Sequence, residues 1–245
     1  MTNPRPGADT EQRRRSGSDP ELRIYRTAVL VVVGALLCAG IYSATMRGLA
    51  DVEYTQARLL VPLPAPGGPA PKAEHVPGAQ AHLREALRLE PGNPHFVEQF
   101  ARTHELTALS LDRSDPEAYQ ALRESLAGFR AAALLRPGSP YVWADIALLK
   151  YRLDDMDFEF YGALERAARL GPWEPGVQVA MADIGLAAWN YLARPAQGWV
   201  IGALDRGLLR QQADLLRLAR SHGTLPLVCE ERNLPSRLAA FCVKK

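Results

Sequence analysis

Histidines and acidic residues are the side chains in this sequence most able to do chemistry. The five histidines include no pair spaced i, i+4, and no HExxH, P-loop, GxSxG or GxGxxG motif occurs. His95 and His104 are predicted to lie on one helical hairpin near Glu98 and Glu105, where solvated surface residues are favoured over a metal site. We therefore assign no catalytic residue, no metal ligand and no cofactor.

A run of acidic residues, Asp154, Asp155, Asp157 and Glu159, falls at a predicted turn. It could bind a cation, but its spacing is not that of a calcium loop, which favours a solvated loop. Paired carboxylates for glycoside cleavage would need a cleft that the sequence does not reveal.

Cysteine positions bear on the redox compartment. Cys38 falls in an apolar stretch, whereas Cys229 and Cys242 flank a short C-terminal segment. In an oxidising compartment the latter two are predicted to form a disulfide. Zinc ligation is disfavoured because no further cysteine or histidine completes a site, and two free thiols remain an alternative.

The stretch 27–46 contains no charged residue and is bounded by Arg26 and Arg47. As a helix it would span about 30 Å, the thickness of a bilayer's hydrocarbon core. We predict one transmembrane helix, favoured over a buried core helix because it has no polar face. A cleaved signal peptide is the stronger alternative, but a long leader precedes the stretch and no small-x-small cleavage site follows it.

Positive charge is concentrated before this helix, which predicts that the N-terminus stays in the cytoplasm of a bacterium and the remainder enters the periplasm. The leader, 1–26, is polar and predicted to be disordered. The arginines near the helix start are Arg13, Arg14, Arg15, Arg23 and Arg26. The expected location is the inner membrane.

Residues 47–78 are predicted to form a stalk and a linker. The part 61–78 holds six prolines and three glycines, so folding is expected to begin near Ala79. The remainder, 79–245, contains equal numbers of basic and acidic residues. A neutral domain argues against nucleic acid as a partner, because phosphate binding needs surplus Lys and Arg.

An internal repeat organises this domain. Three segments are amphipathic helix ends followed by a turn between two prolines: AHLREALRLEPGNP (81–94), AGFRAAALLRPGSP (127–140) and ALERAARLGPWEP (163–175). Their spacing is close to that of a tetratricopeptide repeat, apart from an insertion in the first interval. After each turn a large apolar residue precedes an alanine: Phe100-Ala101, Ile146-Ala147 and Met181-Ala182.

These residues resemble the tetratricopeptide (TPR) consensus, although most other consensus positions differ. The prediction is all-α: one N-terminal transmembrane helix followed by a TPR-like α-hairpin solenoid, with a generic helical bundle as the alternative. A further helical stretch, 197–221, and the cysteine-linked tail are predicted to cap the solenoid.

Stacked hairpins would present a concave surface lined by their first helices. The side chains predicted to bind a protein partner there are Tyr141, Asp145, Lys150, Tyr151, Gln178 and Asp183. Trp173, in a turn between two prolines, is included, whereas Trp143 and Trp189 are interpreted as packing residues.

Three runs together resemble the VpsP-like family of single-pass, TPR-like proteins of bacterial exopolysaccharide synthesis: LLRPGSPYVWADIALLKYRL (134–153), ALERAARLGPWEPGVQVAMADIGLAAW (163–189) and LLRLARSHGTLPLVCEERNLPSRLAAFC (215–242). The resemblance implies an accessory role in making or exporting a polysaccharide and implies no reaction. The expected function is a membrane-anchored scaffold, not an enzyme, that holds protein partners of such a complex.

Two alternatives remain from the sequence. One is a polysaccharide-modifying or hydrolysing enzyme with an unrecognised site, and the other is a TPR assembly factor for another envelope process. The oligomeric state is not determined by these patterns.

Overall fold

The computed structural model describes residues 20–62 and 72–243, and over these ranges the chain is helical with no strand. The prediction of an all-α chain is confirmed for this part. The first nineteen residues of the expected leader and residues 63–71 of the expected linker lie outside the described residues.

Eleven α-helices lie in the described ranges, together with short 3-10 helices at Ala73–His75 and Trp189–Tyr191. In chain order they are α1 (Pro20–Leu60), α2 (Val76–Leu89), α3 (Pro94–Leu109), α4 (Pro116–Leu135), α5 (Pro140–Arg152), α6 (Phe158–Leu170), α7 (Pro175–Ala188), α8 (Arg194–Gly207), α9 (Gln212–His222), α10 (Leu225–Cys229) and α11 (Ser236–Val243).

Proline and capping residues set where the helices begin. Proline opens α3, α4, α5 and α7, because its fixed φ suits the first turn and its missing N–H is not needed there. Side chains of Asn93 and Asp115 accept hydrogen bonds from the backbone N–H groups of His95 and Glu117. The helix boundaries predicted at the three proline-bounded turns are therefore confirmed.

α1 contains the predicted membrane-spanning stretch, 27–46. Among the described residues it is one helix long and apolar enough to cross a membrane, with a mean hydropathy of 2.2 in its most apolar window. The chain divides into two units between Leu49 and Ala50.

The second unit begins earlier than the sequence predicts. Ala50 and Ala57 are buried against residues of α2 and α3, each within a small apolar cluster. Tyr54 packs against both clusters. Residues 50, 54, 57 and 61 follow helical spacing, so they form a narrow apolar stripe within the expected stalk. The two buried residues of this stripe, Ala50 and Ala57, are small and lie among polar residues, which hides the stripe in the sequence, and the second unit begins at Ala50 rather than near the expected Ala79.

Consecutive helices pack as pairs: α3 with α4, α5 with α6, and α7 with α8. Helices two apart in the chain also touch, since α5 contacts α7, α6 contacts α8 and α7 contacts α9. Ala101, Ala147 and Ala182, the small residues of the repeated pairs, are all fully buried. A small residue is needed because the paired helices approach closely: a Cβ added at Gly128 of α4 would lie 2.6 Å from the Cβ of Ala101 in α3.

The predicted helical stretch 197–221 is two helices rather than one. α8 ends at Gly207, where the missing Cβ leaves room for the Leu215 side chain of α9. α9 ends at Gly223, which adopts a left-handed conformation with φ of 68°. The predicted pair Cys229 and Cys242 lies at disulfide-bonding distance, with Cα atoms 5.7 Å apart, and joins α10 to α11.

Candidate partner-binding surfaces

The prediction that Lys150 binds a partner requires an exposed side chain. Lys150 is instead buried. Its side chain is 1% exposed, and its Nζ donates hydrogen bonds to Asp155 and, at 2.8 Å, to Asp157. Glu159 lies 3.6 Å from the same nitrogen. The hydrogen bonds to Asp155 and Asp157 compensate for burying the charge of Lys150 beneath the turn that follows its helix.

The acidic run therefore stabilises the turn between α5 and α6 by binding the Lys150 side chain. Asp154 takes the left-handed position with φ of 58°, and the N–H of Asp155 returns to the carbonyl of Lys150. Burial alone would lower the pKa of Lys150, but hydrogen bonds to Asp155 and Asp157 outweigh burial and raise it. The hydrogen bond from Lys150 in turn lowers the pKa of Asp157.

Asp145 lies in a layer of ion pairs between α3 and α5. Its Oδ2 accepts a hydrogen bond of 2.6 Å from Arg102, and Arg102 also lies 3.8 Å from Glu105. Arg152 pairs with Glu105, and Arg136 pairs with Glu98. Burial raises the pKa of Asp145 to about 6, although the Arg102 guanidinium opposes the shift. The ion pairs link α3 to α5 and, through Arg136, to the end of α4.

Gln178 is also buried, contrary to its assignment. Its Nε2 donates to the Pro172 carbonyl at 2.9 Å, and the Arg206 Nε donates to the same oxygen. This amide is therefore part of the packing between a turn and two helices.

The remaining assigned side chains differ in accessibility. Asp183 accepts a hydrogen bond of 2.7 Å from His222 of α9, and Tyr151 packs half-buried against the core. Tyr141 is exposed, and its hydroxyl donates to Glu174, which raises the pKa of Tyr141 to about 12. Trp173 is 65% exposed. Only Tyr141 and Trp173 of the seven assigned residues thus present large accessible surfaces.

Trp143 and Trp189, the tryptophans interpreted as packing residues, both contact other parts of the chain. Trp189 is buried, and Trp143 is half-buried with its indole N–H donating to the Pro137 carbonyl at 2.7 Å. The guanidinium of Arg166 lies 4.3 Å from the centre of a Trp143 ring, which is close for a cation–π contact.

A second surface, which the sequence did not single out, lies between α4 and α6. We call it the α4–α6 groove; it has a volume of about 780 Å³. Leu134 and Phe158 line it and are 86% and 93% exposed. Leu170 lies at the end of α6, and Trp143 and Ile146 of α5 also contribute. Large apolar side chains exposed together are typical of interaction sites.

A signal for this groove existed in the sequence. The buried face of α4 includes Leu126, Phe129 and Ala133, which follow helical spacing. Leu134 lies next to that stripe along the chain and therefore points away from it. Phe158 is the first residue of α6 and directly follows the capping residue Asp157. The residues of α6 that pack against the core come later in the helix.

Histidine and carboxylate pairs form no larger cluster among the described residues. His82 lies 2.6 Å from Glu53, and His104 lies 2.9 Å from Glu124. Groups of three or more metal-ligating side chains are not found in 20–62 and 72–243.

No family model matches the chain, and no curated protein matches it.

Proposed function

We propose that the chain is a membrane-anchored interaction protein whose helical unit is a TPR-like solenoid. Two observations support a solenoid: consecutive helices pair, and helices two apart along the chain make further contacts. The buried alanine that follows a large apolar residue in each repeat supports the same arrangement. The proposed role is to hold a protein partner.

The proposed location is the bacterial inner membrane, with the N-terminus in the cytoplasm and the helical unit in the periplasm. The arginines preceding the apolar stretch support this orientation. A cysteine pair at disulfide-bonding distance supports an oxidising compartment.

The proposed process is exopolysaccharide synthesis or export, and the support for it is the resemblance to the VpsP-like family. The partners would be protein components of that complex. The observation that carries the proposal for a partner is the exposure of Leu134 and Phe158, which both line the α4–α6 groove.

A photo-crosslinking amino acid placed at Gly162 in the native host tests the proposal, because this groove position has open space beyond its Cα. We expect crosslinks to proteins of a polysaccharide complex, identified by mass spectrometry. Gly198 of α8 also faces open space and lies outside the groove, so it is the matched control.

Polymer output supplies the second readout. Leu134→Ser with Phe158→Ser should remove the crosslink and lower polymer output while the protein level is unchanged. The control is Leu109→Ser with Leu209→Ser, since both leucines are exposed outside the groove. Normal polymer output from the groove variant would contradict the proposal. A single carboxylate whose loss abolishes output without affecting partner capture would favour an enzyme instead.

A further inference from the structure

We propose that the α4–α6 groove binds an acidic amphipathic helix of a protein partner. The inference rests on the proposed function and specifies the chemistry of the partner at the same surface.

The length of the groove matches a short helix. Phe158 and Leu170 mark the two ends of α6, and a helix of that length extends about 18 Å. An added helix with apolar residues at i, i+4, i+7 and i+11 covers about the same distance. An added strand would need a free sheet edge, and the described residues contain no strand.

The charge of the groove is positive once its internal pairs are removed. Arg130 donates two hydrogen bonds to Glu159, so these two charges cancel. Arg166 and Arg169 also line the groove, and among the described residues neither has a carboxylate within ion-pair distance. The contact with Trp143 holds Arg166 in place, which lowers the entropy lost when it meets an anion.

The combination favours one kind of occupant. Apolar side chains of a partner would pack on Leu134, Phe158 and Leu170. Acidic side chains of the same partner would pair with the two arginines that have no carboxylate within ion-pair distance. The groove is lined by three helices, α4, α5 and α6, over the length of α6, which suits a helical protein segment laid along it.

Fluorescence anisotropy with the full chain in phosphatidylcholine nanodiscs tests the inference. The probe is a labelled helical peptide with leucines at i, i+4, i+7 and i+11 and glutamates flanking them. A peptide with lysines in place of the glutamates is its control. We expect the acidic peptide to bind at least about tenfold tighter, with affinity falling as salt rises.

Charge reversal in the groove gives the matched variants. Arg166→Glu with Arg169→Glu should weaken the acidic peptide about tenfold or more. Arg210→Glu with Arg220→Glu changes two exposed arginines outside the groove and should alter binding less than about twofold. Equal binding of the two peptides, or no effect of the groove reversal, would overturn the inference.

Other occupants have their own outcomes. Capture of the nanodisc-embedded chain by phosphatidylglycerol vesicles in a Phe158-dependent manner would assign the groove to a lipid surface. Dimers that dissociate on Phe158→Ser would assign it to a second copy. Either result overturns the acidic helix.

The crosslink at Gly162 separates this inference from the proposed function. If Leu134→Ser with Phe158→Ser removes the crosslink and the two-arginine reversal leaves it intact, the partner is apolar and only the present inference fails. If neither variant affects crosslink or polymer output, the proposed function itself fails.

Discussion

At the residue scale, Lys150 shows how a charge can belong to the interior of a helical hairpin. Its nitrogen lies within ion-pair distance of Asp155 and Asp157 in the connecting turn and of Glu159 at the start of α6. Because these carboxylates are themselves partly exposed, the cost of burying the pair is smaller than for a fully enclosed one. The cluster fixes the connection between α5 and α6.

Replacing Lys150 by Met should lower the free energy of unfolding by about 1–3 kcal/mol, since Asp155 and Asp157 lose the cation that they share, whereas Glu159 keeps Arg130. Urea denaturation of the full chain in nanodiscs, followed by tryptophan fluorescence, measures the change. Lys72→Met is the control because Lys72 is 74% exposed and 3.6 Å from Glu74, and it should cost less than about 0.5 kcal/mol. Equal losses would mean that the cluster is not stabilising.

Asp145 predicts a pH dependence with a definite sign. Its pKa is raised to about 6, so the folded state binds a proton that the unfolded chain, with an Asp pKa near 3.9, does not bind between these values. Stability should therefore rise as the pH falls from 7 to 4, relative to Asp145→Asn. Denaturation midpoints of both proteins at several pH values measure this difference, and parallel curves would contradict it.

At the scale of helices, close packing depends on glycine and alanine pairs. Gly128 lies against Ala101 across α3 and α4, and Gly185 lies against Val200 across α7 and α8. No side chain fits at either contact unless a helix moves.

Gly128→Ala should therefore lower the free energy of unfolding by about 1–3 kcal/mol, the usual cost of overpacking. Gly198→Ala, in the open middle of α8, should instead raise it by about 0.5–1 kcal/mol through helix propensity. Denaturation of the two variants side by side is the measurement. A stabilising effect at Gly128 would show that α3 and α4 do not approach as described.

The C-terminal helices provide a prediction about thiol chemistry. Without reductant, Cys229 and Cys242 should resist alkylation of the folded protein and should react after reduction. Mass spectrometry of alkylated peptides measures this, with both states compared in the same preparation. Labelling of both cysteines before reduction would exclude the disulfide.

At the scale of the whole molecule, the apolar stretch 27–46 is predicted to determine location. Alkaline phosphatase fused behind Lys245 should be active, because it folds only outside the cytoplasm and the arginine bias predicts that the C-terminus lies there. The control replaces Arg13, Arg14 and Arg15 by Ala, which should reduce the fraction of active fusion. Activity of a reporter that works only in the cytoplasm, fused at the same position, would show the opposite orientation.

Local patterns determined much of this molecule. Prolines and capping side chains set the helix boundaries, because each acts on a few neighbouring residues. The uncharged stretch predicted a long apolar helix, and the cysteine spacing predicted a pair at disulfide-bonding distance. The all-α class followed from the repeated helix ends, whereas the solenoid arrangement and the partner remain predictions.

Only the tertiary structure decided which polar residues are buried. On helices, Lys150, Asp145 and Gln178 look like ordinary solvated residues, but Lys150 and Gln178 are buried and Asp145 is half-buried, each against partners that other segments supply. The α4–α6 groove is a similar case: sequence positions place Leu134 and Phe158 off the buried faces, but only the tertiary structure brings Trp143 and Ile146 of α5 into the same groove. Helical periodicity specifies a face, but the neighbouring helices determine whether that face meets protein or solvent.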